Sequence, residues 1–433
     1  MIGTTDMKEK IQMQHRRFLA AAAAVVAVTA AQGSILDRER GIRVGDRMTL
    51  EPYVSFSYTY DSNVDSSKHS HDGSQWVVGT GLDARYKGEE LNMDANVNYD
   101  YHAYNRYVSQ LNSSSYGESF GFDWADSAPD EPGWRVMFRE QFRQIAQDDD
   151  MSTHNGRGMG RDRKQFTFDS VVERRQTGRL HLAGTANYYF LDYDNDVHKY
   201  ASMYGWKRIH LGGEAGYMVS RWTDFIVSAG YQKYWQDNDK SSNYTSFGRY
   251  RGKHISSSSK GWTLMAGLGT RATEKLSYRV LAGWSRFEYG SAKDLDGWIY
   301  QLSADWQIDA ENTFHAMAAG SSYYQPSETE YGAAMKVYSM SLGLAKGVVR
   351  NKLRFMADLA YRRQTRDYTV YKADEYDEDI WTGRLSCTYT INRLVALFAR
   401  VEYQTRMCSG SYIHNNAYDY DRWRGTVGFT LAY

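Results

Sequence analysis

Apolar and polar residues alternate with period two over most of the chain between Met48 and Tyr433. The last instance is the clearest. From Trp423 to Tyr433 one face carries Trp423, Gly425, Val427, Phe429, Leu431 and Tyr433, and the other carries Arg424, Thr426, Gly428, Thr430 and Ala432. Successive strand residues point to opposite faces, so this segment separates an apolar surface from a polar one. The pattern returns about eighteen times. It predicts strands over 48–60, 75–87, 91–104, 116–125, 134–145, 163–175, 179–192, 206–219, 223–236, 261–272, 275–289, 297–308, 312–324, 335–347, 352–366, 379–391, 393–406 and 422–433. Each is long enough to cross a bilayer as a tilted strand, which takes about 9–11 residues.

The connections between these segments alternate in kind. Lys87 to Glu90, Thr177-Gly178, Arg221-Trp222, Ala310-Glu311 and Asn392 are short. The connections 61–74, 105–115, 146–162, 237–260 and 407–421 are long and rich in Ser, Asn, Asp, Gly and His, the composition of loops. Strict alternation predicts an all-β fold: a transmembrane antiparallel up-and-down β-barrel of about 18 strands, with short periplasmic turns and long outer loops. The Pro-containing connection 126–133 is longer than the other turns and leaves 16 strands as an alternative.

Charge follows the same parity. In 91–104, Leu91, Met93, Ala95, Val97, Tyr99, Tyr101 and Ala103 form a lipid face, and Asn92, Asp94, Asn96, Asn98, Asp100 and His102 a lumen face. Applied to every strand, the rule predicts a lumen lined by Asp83, Arg85, Asp94, Arg135, Arg139, Arg143, Glu214, Arg279, Asp305, Arg354, Asp358, Arg362, Arg384, Arg400, Glu402 and Arg424. Charged linings tune the passage of ions and solutes, although some of these groups can equally serve a cross-barrel ionic network. Tyr53, Tyr189 and Phe287 fall on the lumen parity and are candidate sugar-stacking platforms.

Tryptophan adds a second regularity. Trp76, Trp206, Trp262, Trp298, Trp381 and Trp423 each follow a long connection, whereas Trp134, Trp222 and Trp306 lie near short turns. Amphipathic rings favour the headgroup region, so the two sets read as aromatic girdles at opposite membrane interfaces.

At the other end of the chain, His15, Arg16 and Arg17 precede an apolar run from Phe18 to Val28 and then small residues. That order is a secretory signal peptide over 1–33, with cleavage after Ala30 or Gly33. The run is too short for a membrane helix. Residues 34–47 then form a short periplasmic segment and 48–433 the barrel.

Composition narrows the functional classes. Only 4 Pro accompany 37 Gly and 36 Tyr, which suits a sheet with few edges. The mean hydropathy of −0.66 is compatible with a barrel, because only half of each strand meets lipid. A formal net charge of zero leaves no nucleic-acid footprint. Cys387 and Cys408 lie about 5 and 16 residues from a hairpin turn, an offset of roughly 35 Å that excludes a bridge between them.

Chemistry is sparse. Asp192-Tyr-Asp-Asn-Asp196 and Asp148-Asp-Asp150 lack the glycine and distal glutamate of a calcium loop. His69 and His71 lack a spaced partner cluster. No Ser-His-carboxylate arrangement stands out. The expectation is therefore no catalytic residue, no metal site and no cofactor.

Two segments carry a resemblance. The C-terminal strand, with Phe429, Leu431 and Tyr433 at alternate positions, resembles the signal read by the outer-membrane barrel assembly machinery, where the usual last residue is Phe. The opening strand, Glu51-Pro-Tyr-Val-Ser-Phe-Ser-Tyr-Thr-Tyr-Asp-Ser-Asn-Val64, resembles the start of the β-barrel porin 2 family. Tyr60, Asp61 and Asn63 match its Tyr-Asp-x-Asn stretch. The resemblance implies an outer-membrane barrel of a Gram-negative-type bacterium, in some members linked to surface polysaccharide, with no catalytic residues to transfer. The expected function is a porin-like channel for passive diffusion of small hydrophilic solutes such as oligosaccharides. The expected partners are outer-membrane lipid, the assembly machinery and the solute, and an oligomer is compatible with all of this. A surface adhesion barrel acting through its long loops is the alternative, and an outer-membrane hydrolase ranks last.

Overall fold

The computed structural model describes residues 41–63, 72–104, 113–126, 132–145, 163–177, 179–193, 206–236, 258–273, 275–289, 294–309, 312–325, 333–349, 352–367, 376–410 and 419–433. Nineteen strands account for nearly all of them. They are β1 (Ile42–Val44), β2 (Met48–Asp61), β3 (Gly73–Lys87), β4 (Leu91–Tyr104), β5 (Ser113–Ala125), β6 (Gly133–Ile145), β7 (Arg163–Thr177), β8 (Leu180–Tyr193), β9 (Trp206–Ser220) and β10 (Thr223–Gln236), followed by β11 (Ser258–Arg271), β12 (Leu276–Tyr289), β13 (Leu295–Gln307), β14 (Asn312–Gln325), β15 (Ala333–Val349), β16 (Leu353–Asp367), β17 (Tyr376–Thr390), β18 (Val395–Gly410) and β19 (Tyr420–Ala432).

From β2 to β19 each strand pairs antiparallel with the next, and β19 returns to pair with β2 from Ala432↔Tyr53 to Arg424↔Asp61. The sheet thus closes into an 18-stranded antiparallel up-and-down barrel, the expected fold with the larger of the two strand counts. Closure satisfies every strand edge, which is what a sheet needs in a solvent without hydrogen-bonding capacity. Beyond the paired register, Tyr433 N–H donates to Pro52 O at 3.0 Å, and Ser62 N–H donates to Trp423 O at 2.9 Å. The seam is therefore tied at both ends.

Within the 34–47 segment assigned to the stretch before the barrel, β1 is an addition. Gly41 (φ +100°) and Gly45 (φ +68°) supply left-handed backbone on either side of it. The strand folds back so that Ile42, Arg43 and Val44 pair with Leu50, Thr49 and Met48. It covers the part of the β2 edge that extends past the end of β19. Three residues are too few to show a period, so β1 left no sequence signal.

A closed single-layer sheet has one face over which nothing lies, so side chains with near-zero exposure must be inside. Leu281 and Ser285 of β12 have 0% exposure, and Glu378 of β17 has 2%. Their parity is the lumen parity in each strand. The opposite parity carries exposed apolar residues throughout, among them Leu82, Val97, Leu182, Leu211, Val227, Leu264, Leu302, Leu342, Leu359, Val401 and Val427. This belt is the surface that meets lipid. No helix among the described residues is long and apolar enough to cross a membrane.

Cys387 lies on the outward parity of β17, and Cys408 is buried on the inward parity of β18; both are free thiols.

Candidate functional site

The site is the inward wall. Its charges are ordered in rows, because each inward residue has a direct partner on the neighbouring strand. One row reads Asp305, His315, Gly343, Asp358, Arg384, Glu402, Arg424 and Asp61, from β13 through β19 to β2. Acid and base alternate along its last five members. Opposite charges facing each other across strands attract, so the row is electrostatically self-consistent. Barrel strands are tilted, so a row perpendicular to them winds along the axis. This one starts beside the short connections and ends at the long ones.

The contacts follow the register. His315 Nδ1 and Asp305 Oδ1 are 2.6 Å apart. Glu402 accepts from Arg384 Nε at 2.9 Å and Arg400 Nη2 at 2.8 Å, and Arg424 Nη1 stands 4.0 Å away. Asp61 accepts from Arg422 Nε at 2.9 and 3.0 Å, and from Arg424 Nε at 3.3 Å. Gly343 is the gap in the row. A Cβ placed there would stand 3.1 Å from Asp358 Oδ1, so the glycine makes room for the aspartate.

A second row repeats the design on the other side of the seam: Asn187, Asp169, Arg139, Gly121, Asp94 and Arg85. Here too a glycine is the gap, and the Asp94 carboxylate lies over Gly121, with Arg139 Nη2 at 3.9 Å. Arg85 reaches Glu51 at 3.7 Å, and Arg135 forks onto Asp123 at 2.9 and 2.6 Å. Arg279 of β12 pairs with Glu214 of β9, spanning two intervening strands. On the same inward face of β12 and β10, Leu281 and Ile226 are buried. Gly267 and Gly283 allow the wall to fold in tightly there, since a Cβ on either would run into the neighbouring strand's backbone.

All sixteen charged residues proposed for the lining have the inward parity, and most are brought together in pairs or rows. Arg354 is not: it makes no ion pair among the described residues. Sequence reasoning passed over Arg406, Arg422 and Glu378, although all three obey the same parity. They form the most buried ion pairs, Arg406–Glu378 and Arg422–Asp61, at the long-connection end. Gln364 also bonds Glu378. Extending the alternation by two or three residues past the apolar part of each strand would have found them.

The Tyr60-Asp61-Ser62-Asn63 stretch gains a physical role. Tyr60 is outward and exposed, whereas Asp61 is inward and takes the arginines of β19. Asn63 N–H donates to Asp61 Oδ1 at 3.0 Å, and Asn63 Nδ2 donates to Asp421 O at 3.1 Å. The stretch locks the first strand to the last.

The girdle tryptophans Trp76, Trp262, Trp298 and Trp423 are outward and exposed. Tyr58–Trp76, Tyr361–Trp381 and Tyr403–Trp423 are direct cross-strand pairs, with ring centroids 4.4 to 4.5 Å apart. Trp134, Trp222 and Trp306 are exposed near short connections. Trp206 departs from the expectation. It has the parity of Arg208 and His210, lies opposite buried Leu191, and stacks on inward Tyr189 at 4.4 Å. Its place after a long connection fixed its height but not its face. Tyr53 is inward over Gly81, and Phe287 is inward and buried over Gly261. Phe429, Leu431 and Tyr433 keep the alternation to the end of β19.

Among the described residues no cluster of His, Cys, Asp or Glu could hold a metal. His69, His71, Asp148 to Asp150, Asp194, Asp196 and the expected signal peptide lie outside the described residues.

No family model matches the chain, and no curated protein does. Similar solved structures exist. OpdK of Pseudomonas aeruginosa with vanillate has a TM-score of 0.44 at 12% identity, over 89% of this chain and 99% of that one. OccAB4 of Acinetobacter baumannii has a TM-score of 0.43 at 10% identity, over 90% and 100%. The siderophore receptor PirA of Pseudomonas aeruginosa has a TM-score of 0.42 at 10% identity, over 90% and 81%. The closed barrel itself rests on the strand register of this chain.

Proposed function

We propose that the protein is a porin-like channel in the outer membrane of a Gram-negative-type bacterium, passing small hydrophilic solutes by diffusion. The observation that carries this reading is the wall itself. Charged and polar residues line much of the interior of an 18-stranded barrel, beside buried apolar Leu281, Phe287 and Ile299, and its exterior is predominantly apolar. Barrels of 16–18 strands enclose enough width for water. The paired rows keep guanidinium and carboxylate groups fixed yet facing the lumen, which favours solutes rich in hydroxyl groups over apolar ones. Oligosaccharides are the solute class proposed, with inward Tyr53 and Tyr189 as stacking surfaces. The Tyr60-Asp61-x-Asn63 stretch supports assignment to the β-barrel porin 2 family. Export by the N-terminal signal and insertion by the barrel assembly machinery through the Tyr433 strand belong to the same proposal.

Planar-bilayer recording of the purified, signal-cleaved barrel tests it. Discrete conductance steps are expected, with partial block or flux of neutral sugars graded by size. A folded barrel that gives neither conductance nor sugar flux overturns the channel reading.

A further inference from the structure

Most outward charges lie toward the long-connection end, and on three adjacent strands there they share one sign. Lys207 of β9, Lys233 of β10 and Lys260 of β11 have the same parity as the exposed outward residues Leu211, Tyr231 and Leu264. Lys233 and Lys260 are direct cross-strand partners. Two like charges thus stand with Cβ atoms about 5 Å apart, an arrangement that is destabilising on its own. Lys207 is their diagonal neighbour, directly across from Trp235.

Among the described residues these charges are neutralised only in part. Lys260 Nζ reaches Glu288 at 3.1 Å. Lys207 and Lys233 make no ion pair among the described residues. Their ammonium groups lie instead over the rings of Phe190 and Trp235, at 5.5 and 4.9 Å.

Their depth is as telling as their charge. Two residues further toward the middle of the same strands, Tyr231 and Trp262 are cross-strand partners and exposed. Beyond them come Ala229 and Val227 on β10 and Leu264 and Leu268 on β11, all on the outward parity. Exposed amphipathic rings mark the boundary between headgroups and hydrocarbon. The ammonium groups therefore stand just outside that boundary, at the depth of lipid phosphates.

We infer that Lys207, Lys233 and Lys260 form a docking surface for a membrane lipid whose headgroup carries phosphomonoester anions, in the leaflet on the long-connection side. A doubly charged phosphate seated between Lys233 and Lys260 removes their mutual repulsion. The exposed rings of Tyr231 and Trp262, two residues nearer the middle of the strands, lie against the acyl portion of the same lipid. Each ammonium offers three donors and a compact charge, the chemistry suited to phosphate oxygens.

The test is native mass spectrometry of the folded barrel in neutral detergent, titrated with lipid A and, separately, with phosphatidylcholine. Lipid A is expected to be retained and phosphatidylcholine not. Replacing the three lysines together (Lys207→Gln, Lys233→Gln, Lys260→Gln) should weaken lipid A retention about fivefold per lysine, on the order of a hundredfold in all. Lys346→Gln, an exposed outward lysine near the short connections, should leave it unchanged. Lys233→Gln alone, expected to lose about fivefold, serves if the triple variant does not fold. Three outcomes would overturn the inference: unchanged retention in the lysine variants, an equal loss in Lys346→Gln, or displacement of lipid A by millimolar inorganic phosphate. None of these readouts depends on permeation, so the inference and the channel reading fail separately.

Discussion

At the scale of single residues, the most consequential contact is Arg422–Asp61. It joins strands 361 positions apart in sequence, and both side chains are buried. Removing one partner leaves the other charge desolvated, which is far costlier than removing both. Arg422→Met should destabilise the barrel by about 3 kcal/mol, and Asp61→Asn together with Arg422→Met should recover most of that loss. Urea unfolding of the lipid-reconstituted barrel measures both. Additive losses in the double variant would show that the pair is not coupled. The face of a residue is an equally local question. Leu359 sits outward near the middle of β16, and Ser386 inward on β17. Leu359→Arg should cost about 2–4 kcal/mol and Ser386→Arg well under half of that, because only the first puts a charge in mid-bilayer hydrocarbon. Leu397 is a weaker probe, since it lies near the short end of β18, where the cost falls off. Equal costs for Leu359→Arg and Ser386→Arg in the same unfolding experiment would reverse the two faces.

At the scale of elements, the eighteen barrel strands were legible because one physical rule, lipid against water, acts on every residue of every strand. Strands β4 and β10 coincide with their predicted bounds of 91–104 and 223–236. The misses fall where that rule stops acting. Strand β18 runs on to Gly410 rather than ending at 406, because Arg406 and Cys408 there are buried at the mouth and the outer face has left the hydrocarbon. Trp206 was placed on the wrong face for the same reason: near the mouth an aromatic ring can be buried inside as readily as seated at the interface. The crease of β11 and β12 was also invisible, since it depends on which glycines oppose which backbone. Gly267 faces the backbone of Val280 and Leu281, whereas Gly184 of β8 faces open space. Gly267→Val should therefore destabilise by about 1–3 kcal/mol through overpacking, while Gly184→Val should be neutral or mildly favourable by strand propensity. Thermal unfolding of the two variants in one detergent decides it, and similar midpoints would show that the tight fold of this wall is not obligatory.

At the scale of the whole molecule, the even strand number and the seam place the start of β2 and the end of β19 beside the short connections. The long connections and the buried ion pairs of the mouth lie at the other end. Directionality follows from this asymmetry: one end is a rim of tight turns, and the other carries the girdle of Tyr–Trp pairs and the lysine patch above it. If the barrel sits in an outer membrane with its long connections outside, chemistry at the two rims must be separable from the cell exterior. Asp294, exposed beside β13, and Arg221, exposed in the turn between β9 and β10, are suitable sites at opposite ends. In a background with Cys387→Ser and Cys408→Ser, Asp294→Cys should react on intact cells with a membrane-impermeant maleimide. Arg221→Cys should react only after the outer membrane is opened. Neither native thiol confuses the reading once replaced, and neither is needed for a disulfide, since both are free. Labelling of Arg221→Cys alone on intact cells would invert the barrel, and with it the leaflet assigned to the lysine patch. Labelling of both would mean that the chain is not closed off by a membrane at all.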